Sequence, residues 1–140
     1  MRSALALAAT QLGRTGDNPA VGCVIEKNGS VLGGAVTADG GRPHAEEQAL
    51  AQAGDEARGA TAYVTLEPCA KRSSGSASCA DLLIGAGIAR VVIATRDPHP
   101  NAAGAGVARL RAAGVSVEIG LLEPEARQLN AEFLARWTPL

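Results

Sequence analysis

The second half of the chain alternates strand-like and helix-like stretches at a spacing that admits few folds. Thr61 to Leu66 and Ala89 to Thr95 read as strands, Cys79 to Ala86 and Gly106 to Ala113 as helices, and Val115 to Ile119 as a further short strand. Strands separated by helices in this way run parallel, because a parallel neighbour is reached only through a crossover. The first half adds a different piece. Ala20 to Glu26 and Ser30 to Val36 are β-type runs joined by Lys27-Asn28-Gly29, whose Asn-Gly step favours a tight hairpin, so these two pair antiparallel. Helices are expected from Met1 to Leu12, ahead of Gly13, and from His44 to Ala53, stopped by Gly54, after the break at Gly40-Gly41-Arg42-Pro43. A last amphipathic helix spans Glu123 to Trp137. The expected fold is α/β: a three-layer α/β/α sandwich around a central mixed five-stranded sheet, with an antiparallel hairpin at one side and helices on both faces. Ligands in such sheets gather at the carboxyl ends of the parallel strands, here just after Leu66 and Thr95.

Composition narrows the class further. With 140 residues, 46% of them hydrophobic, the chain is the size of one domain around one core. Aromatic residues make up only 2% and there are 17 glycines, so the core is built from Ala, Val, Leu and Ile in closely stacked elements. Thirteen basic and 14 acidic residues give a net charge of −1 and no continuous basic stripe, which argues against a nucleic-acid partner. No apolar run approaches the ~20 residues of a membrane span, and no secretory signal is recognisable, so a cytoplasmic location is expected. The three cysteines then point to metal or thiol chemistry rather than to a disulfide scaffold.

The histidine and cysteine positions carry that chemistry. His44-Ala45-Glu46 opens a helix, Glu67-Pro68-Cys69 closes a strand, and Cys79 begins the next helix. One imidazole and two thiolates suit tetrahedral Zn²⁺ with its fourth position left to water, the ligand count of a catalytic site. Glu46, two residues beyond His44, points away from it by about 200° on an ideal helical wheel, and in the first turn it can face the ligand cavity while His44 holds the metal. A carboxylate there can take a proton from water and deliver it to a leaving amine. The order His-x-Glu, Pro-Cys and a later Cys is the signature of zinc-dependent base deaminases. His-Ala-Glu alone is a weak signal, and two buried apolar thiols would also account for Cys69 and Cys79. The combination, with each piece at an element boundary, is strong. Cys23, flanked by Val21, Val24 and Ile25, belongs to the core. His99, in Asp97-Pro98-His99-Pro100, either faces the pocket or is solvated.

Nearly end to end, the chain resembles the deaminase domain of the bacterial riboflavin-biosynthesis enzyme, within the cytidine-deaminase-like superfamily. The matching pieces are Asn18 to Gly22, Pro43-His44-Ala45-Glu46, Gly59 to Cys69, Ala86 to Val92, Asp97-Pro98, Gly104-Ala105-Gly106 and Leu129 to Phe133. The resemblance implies hydrolytic removal of an exocyclic amine from a diaminopyrimidinone that carries ribosylamine phosphate, giving the aminouracil and ammonia. It implies zinc on His44, Cys69 and Cys79, proton transfer by Glu46, substrate contacts from Asn18 and Ala45, and self-association into a dimer or larger. It places a single deaminase domain over residues 1–140, without the reductase domain that often follows in the family. Asn18 before Pro19 also reads as a simple turn former.

Several positions depart from the family pattern where the substrate should be gripped. Between the ligand cysteines the commoner form carries Ser-His, then Gly with Arg or Lys, then Thr-Pro-Pro; here the segment is Ala70 to Ser78 and one residue longer. Thr37 stands at the place of a frequent His, His99 at that of an Asn, and Ala105 at that of a Lys or Arg. Lys71 and Arg72 could supply the missing charge, with Ser73, Ser74 and the backbone around Gly75 forming an anion nest; the alternative is a solvated loop. Two other functions stay open at this point: deamination of a different nucleobase or nucleoside, and a non-catalytic zinc-binding module.

Overall fold

The computed structural model describes residues 1–70, 77–98 and 104–137. Its elements run α1 (Arg2–Ala9), β1 (Gly22–Lys27), β2 (Ser30–Val36), α2 (Ala45–Ala53), β3 (Thr61–Leu66), α3 (Cys79–Gly85), β4 (Arg90–Thr95), α4 (Ala105–Ala112), β5 (Ser116–Ile119), α5 (Glu123–Leu129) and α6 (Ala131–Trp137). Short 3-10 turns occupy Asp39–Gly41 and Gly54–Ala57. The five strands form one sheet in the order β2-β1-β3-β4-β5. β1 pairs antiparallel with both β2 and β3, whereas β3 with β4 and β4 with β5 are parallel. The expected mixed sheet, hairpin at one side, is therefore the observed one. Asn28 and Gly29 make the hairpin turn with φ of 52° and 82°, the left-handed pair that an Asn-Gly step supplies.

Two layers of helices cover the sheet. α2, α3 and α4 pack on one face, α1 and α5 on the other. The larger core lies under α2–α4, where Ile25, Val64, Val91 and Ile93 meet Ala49, Leu83 and Leu110. Strand alternation sends Val24 and Val92 to the opposite face, toward buried Ala4, Ala8 and Ala126. Small residues set the spacing of these layers. At Gly22 a Cβ would overlap the carbonyl oxygen of Ala4, so α1 lies directly on β1 only because this position has no side chain. No helix among the described residues is long and apolar enough to cross a membrane.

Two helix boundaries differ from expectation. α1 stops at Ala9 rather than Leu12, because Thr10 turns its hydroxyl onto the Leu7 carbonyl (2.6 Å) and takes up one of the helix's terminal acceptors. Leu12 is left half exposed. The single C-terminal helix is two helices, α5 and α6, broken at Asn130 (φ −110°, ψ 33°). Its side chain bonds to the backbone of Ala20, far away in sequence.

Candidate metal and catalytic site

The site lies at the carboxyl ends of the parallel strands, where the sheet geometry leads one to look. His44 is the N-cap of α2, in extended conformation, and its backbone N–H donates to the Glu47 carboxylate at 3.3 Å. Cys69 follows β3 after Pro68. Cys79 is the first residue of α3, whose N-cap Ser78 accepts the Asp81 N–H at 3.1 Å. These three side chains converge: their ligand atoms all lie within 4.8 Å of one another. His44 Nδ1 is 3.2 Å from Cys79 Sγ. The N–H of Cys79 donates to Cys69 Sγ (3.3 Å), so a backbone dipole faces a sulfur that is to carry negative charge, and the Ala80 N–H donates to the Cys69 carbonyl (3.0 Å) and holds the turn.

Zinc fits this donor set. Bonds of about 2.0–2.3 Å in a tetrahedron separate ligand atoms by roughly 3.5–3.8 Å, close to the observed spread. Two sulfurs and one imidazole are the borderline-soft ligands that zinc prefers, and three protein ligands leave one position for chemistry. Glu46 is buried beside them, in the first turn of α2. Burial holds its carboxyl above the usual range and nearby Cys69 adds to this, while its own backbone N–H, His44 and a hydrogen bond with Cys79 pull the other way. Cys23, by contrast, has no exposed surface, and burial pushes its thiol well up. It is a core residue, as its neighbours in sequence suggest.

The other expected site residues are placed less uniformly. Asn18 is exposed on the α1–β1 connection, with its amide against Gly41, three residues before His44. Ala45, between His44 and Glu46, has no exposed surface and its side chain belongs to the hydrophobic core. Lys71, Arg72, Ser74 and His99 lie outside the described residues. Thr37, where the family often has His, is buried and structural: its hydroxyl accepts the Val21 N–H at 2.9 Å at the open end of the β1–β2 pair.

A further residue organises the site without having been singled out in the sequence. Glu67 is 3% exposed, and its carboxylate accepts three backbone N–H groups, from Asp97 (3.3 Å), Gly104 (3.1 Å) and Val107 (3.0 Å). One side chain at the end of β3 thus binds the exit of β4 and the first turn of α4. α4 also approaches closely, since a Cβ at Gly106 would overlap the Pro68 carbonyl oxygen. Together these contacts fix the Glu67-Pro68-Cys69 turn that presents a candidate ligand. The available signal was a carboxylate ending an otherwise apolar strand, a position too buried to leave an acid without partners.

Sheet order and donor set together define the class of zinc-dependent deaminases. The chain belongs to the family described as the cytidine and deoxycytidylate deaminase zinc-binding region, whose sequence model matches residues 1–95. Among curated proteins it is 51% identical over 135 residues to the riboflavin biosynthesis protein RibD of Escherichia coli (strain K12), covering 95% of this chain and 36% of that protein. It is 45% identical over 122 residues to the diaminohydroxyphosphoribosylamino-pyrimidine deaminase of Buchnera aphidicola subsp. Acyrthosiphon pisum, covering 87% of this chain and 82% of that one. In three dimensions it matches RibD of Acinetobacter baumannii with a TM-score of 0.92 and 47% identity, over 97% of this chain and 38% of that one. The chain therefore spans little more than a third of the length of its RibD relatives.

Proposed function

We propose that the chain catalyses zinc-dependent hydrolytic deamination of a diaminopyrimidinone ribosylamino 5′-phosphate, giving the aminouracil and ammonia, and that residues 1–140 act as one deaminase domain. The observation that carries this reading is the convergence of His44, Cys69 and Cys79 with buried Glu46 beside them. The names of the RibD and Buchnera relatives support the substrate. Self-association and a cytoplasmic location belong to the same reading, and light scattering of the purified chain checks the first.

In this reading His44 Nδ1, Cys69 Sγ and Cys79 Sγ hold the metal. Zinc, when bound, lowers the pKa of a water and so supplies a nucleophile near neutral pH. Glu46 handles the protons. Its carboxylate accepts one from the attacking water and returns it to the ring nitrogen next to the amine-bearing carbon. A second proton passes through the same carboxyl to the amine, which leaves as ammonia while the ring carbon keeps the new oxygen as a carbonyl. Burial suits Glu46 to this task, because it raises the carboxyl above its usual range and so makes the carboxylate a better proton acceptor. Asn18 offers an amide donor and acceptor to the heterocycle edge.

Ammonia release across a panel of diaminopyrimidinones and nucleobases, with and without ribose phosphate, tests the reading. The phosphorylated diaminopyrimidinone should be preferred, and Glu46→Gln should keep its zinc while losing about 10²–10⁴-fold in kcat. Preference for unphosphorylated bases would overturn the substrate assignment. Full turnover by Glu46→Gln would overturn the mechanism and favour a structural zinc site.

A further inference from the structure

The break between α5 and α6 leaves a buried asparagine whose purpose lies elsewhere in the molecule. Asn130 accepts the Ala20 N–H on Oδ1 (3.0 Å) and donates from Nδ2 to the Ala20 carbonyl (2.9 Å), so its amide pairs with Ala20 as a neighbouring strand would. Ala20 is two residues beyond Asn18. The other side of Asn18 is held by Thr15, also buried: the Thr15 hydroxyl donates to the Asn18 carbonyl (2.7 Å), and the Asn18 N–H donates to the Thr15 carbonyl (3.2 Å). Beneath the Asn18 amide lies Gly41, at φ +99°, where a Cβ would overlap Asn18 Nδ2. An exposed amide is thus seated in a frame of buried partners that leads, through Gly41, toward His44. A turn that served only to reverse the chain would need no anchor 110 residues away. Asn18 and Asn130 also line one cavity of about 570 Å³, between the Asn18 loop and the start of the last helix.

We propose that Asn130 is a positioning residue for Asn18: by pairing with Ala20 it holds the Asn18 amide over Gly41 in the orientation that meets the substrate heterocycle. The inference rests on the reading of Asn18 as a substrate contact given above. Asn130 touches no reacting atom. Its loss should therefore weaken substrate binding and leave both the metal and the chemical step alone.

A double-mutant cycle on the zinc-loaded chain decides the matter, using Asn18→Ala, Asn130→Ala and both together, with kcat, KM and zinc content measured for each. Asn18→Ala should raise KM about tenfold, the scale of one lost hydrogen bond. Asn130→Ala should raise KM several-fold at unchanged kcat and zinc content. The double variant should bind substrate no worse than Asn18→Ala alone, because a positioning residue has nothing left to position. Multiplying fold-changes in the double variant, or loss of kcat or zinc in Asn130→Ala, would overturn the proposal while leaving Asn18 a substrate contact. An unchanged KM in Asn18→Ala would overturn that contact and the proposal with it. Where Asn130→Ala fails to fold, Asn130→Asp, which keeps an acceptor for the Ala20 N–H but loses the donor to its carbonyl, takes its place in a cycle with Asn18→Ala. That cycle should show the same lack of additivity, and additive effects there would overturn the proposal.

Discussion

The two walls of the site are built on different terms. On the metal side every candidate group sits at the end of a regular element: His44 caps α2, Glu46 lies in its first turn, Cys69 follows β3, and Cys79 opens α3. On the substrate side Asn18 is exposed on a connection, two residues before Ala20, whose backbone pairs with Asn130 far away in sequence. The difference follows from what each wall must do. A metal centre needs its donors fixed to a few tenths of an ångström, which strands and helix starts provide. A recognition group must be reachable by a ligand arriving from solvent, and loops provide that.

Breaking the metal wall should have the largest effect. His44→Ala removes the only nitrogen among three donors and should abolish both zinc retention and ammonia release. Chelation should do the same to the unaltered chain, with activity restored on adding zinc back, as atomic absorption and ammonia assays would report. A His44→Ala chain that keeps one zinc per protomer and full activity would show that the three converging side chains are not the metal site.

The next effect tests whether the metal wall really owes its rigidity to packing. Glu67→Ala would leave the N–H groups of Asp97, Gly104 and Val107 without their acceptor. Most of that loss is a desolvation cost, about 3 kcal/mol in all, or about 10 °C in Tm for a chain of this size. Glu67→Gln keeps an acceptor for two of the three and should lose less than half as much. Calorimetry that finds both variants as stable as the parent would mean that the turn before Cys69 is held by something other than this carboxylate.

How much of this could be read beforehand divides along the same line. The sheet, its mixed pairing and the three donors were legible because they rest on local signals: β-type runs, an Asn-Gly turn, and ligands beside Pro68 and at helix starts. Glu67 and Asn130 were not, although both lie inside runs that match the family. Each acts through backbone groups that the fold brings from far away, 30 to 40 residues off for Glu67 and 110 for Asn130. A sequence shows the polar side chain but not the peptide group it satisfies. The helix expected across Glu123 to Trp137 is broken for the same reason: periodicity continues through Asn130, whereas the side chain at the break pairs with the distant Ala20.

The smallest effect asks whether the substrate wall is separable from the metal wall at all. Lys71 and Arg72, in the segment between the ligand cysteines, are the charges expected to meet a substrate phosphate. If that segment belongs to the recognition wall, Lys71→Ala or Arg72→Ala should raise KM for the phosphorylated diaminopyrimidinone by up to about tenfold, at constant kcat and zinc content. The effect should shrink as salt rises, because mobile ions screen a charge–phosphate attraction over about 10 Å at 0.1 M. An unphosphorylated analogue should not register the change. Equal loss of kcat for both substrates would place the segment with the metal ligands on either side of it, and the division between the chemical wall and the recognition wall would then fall outside the stretch from Cys69 to Cys79.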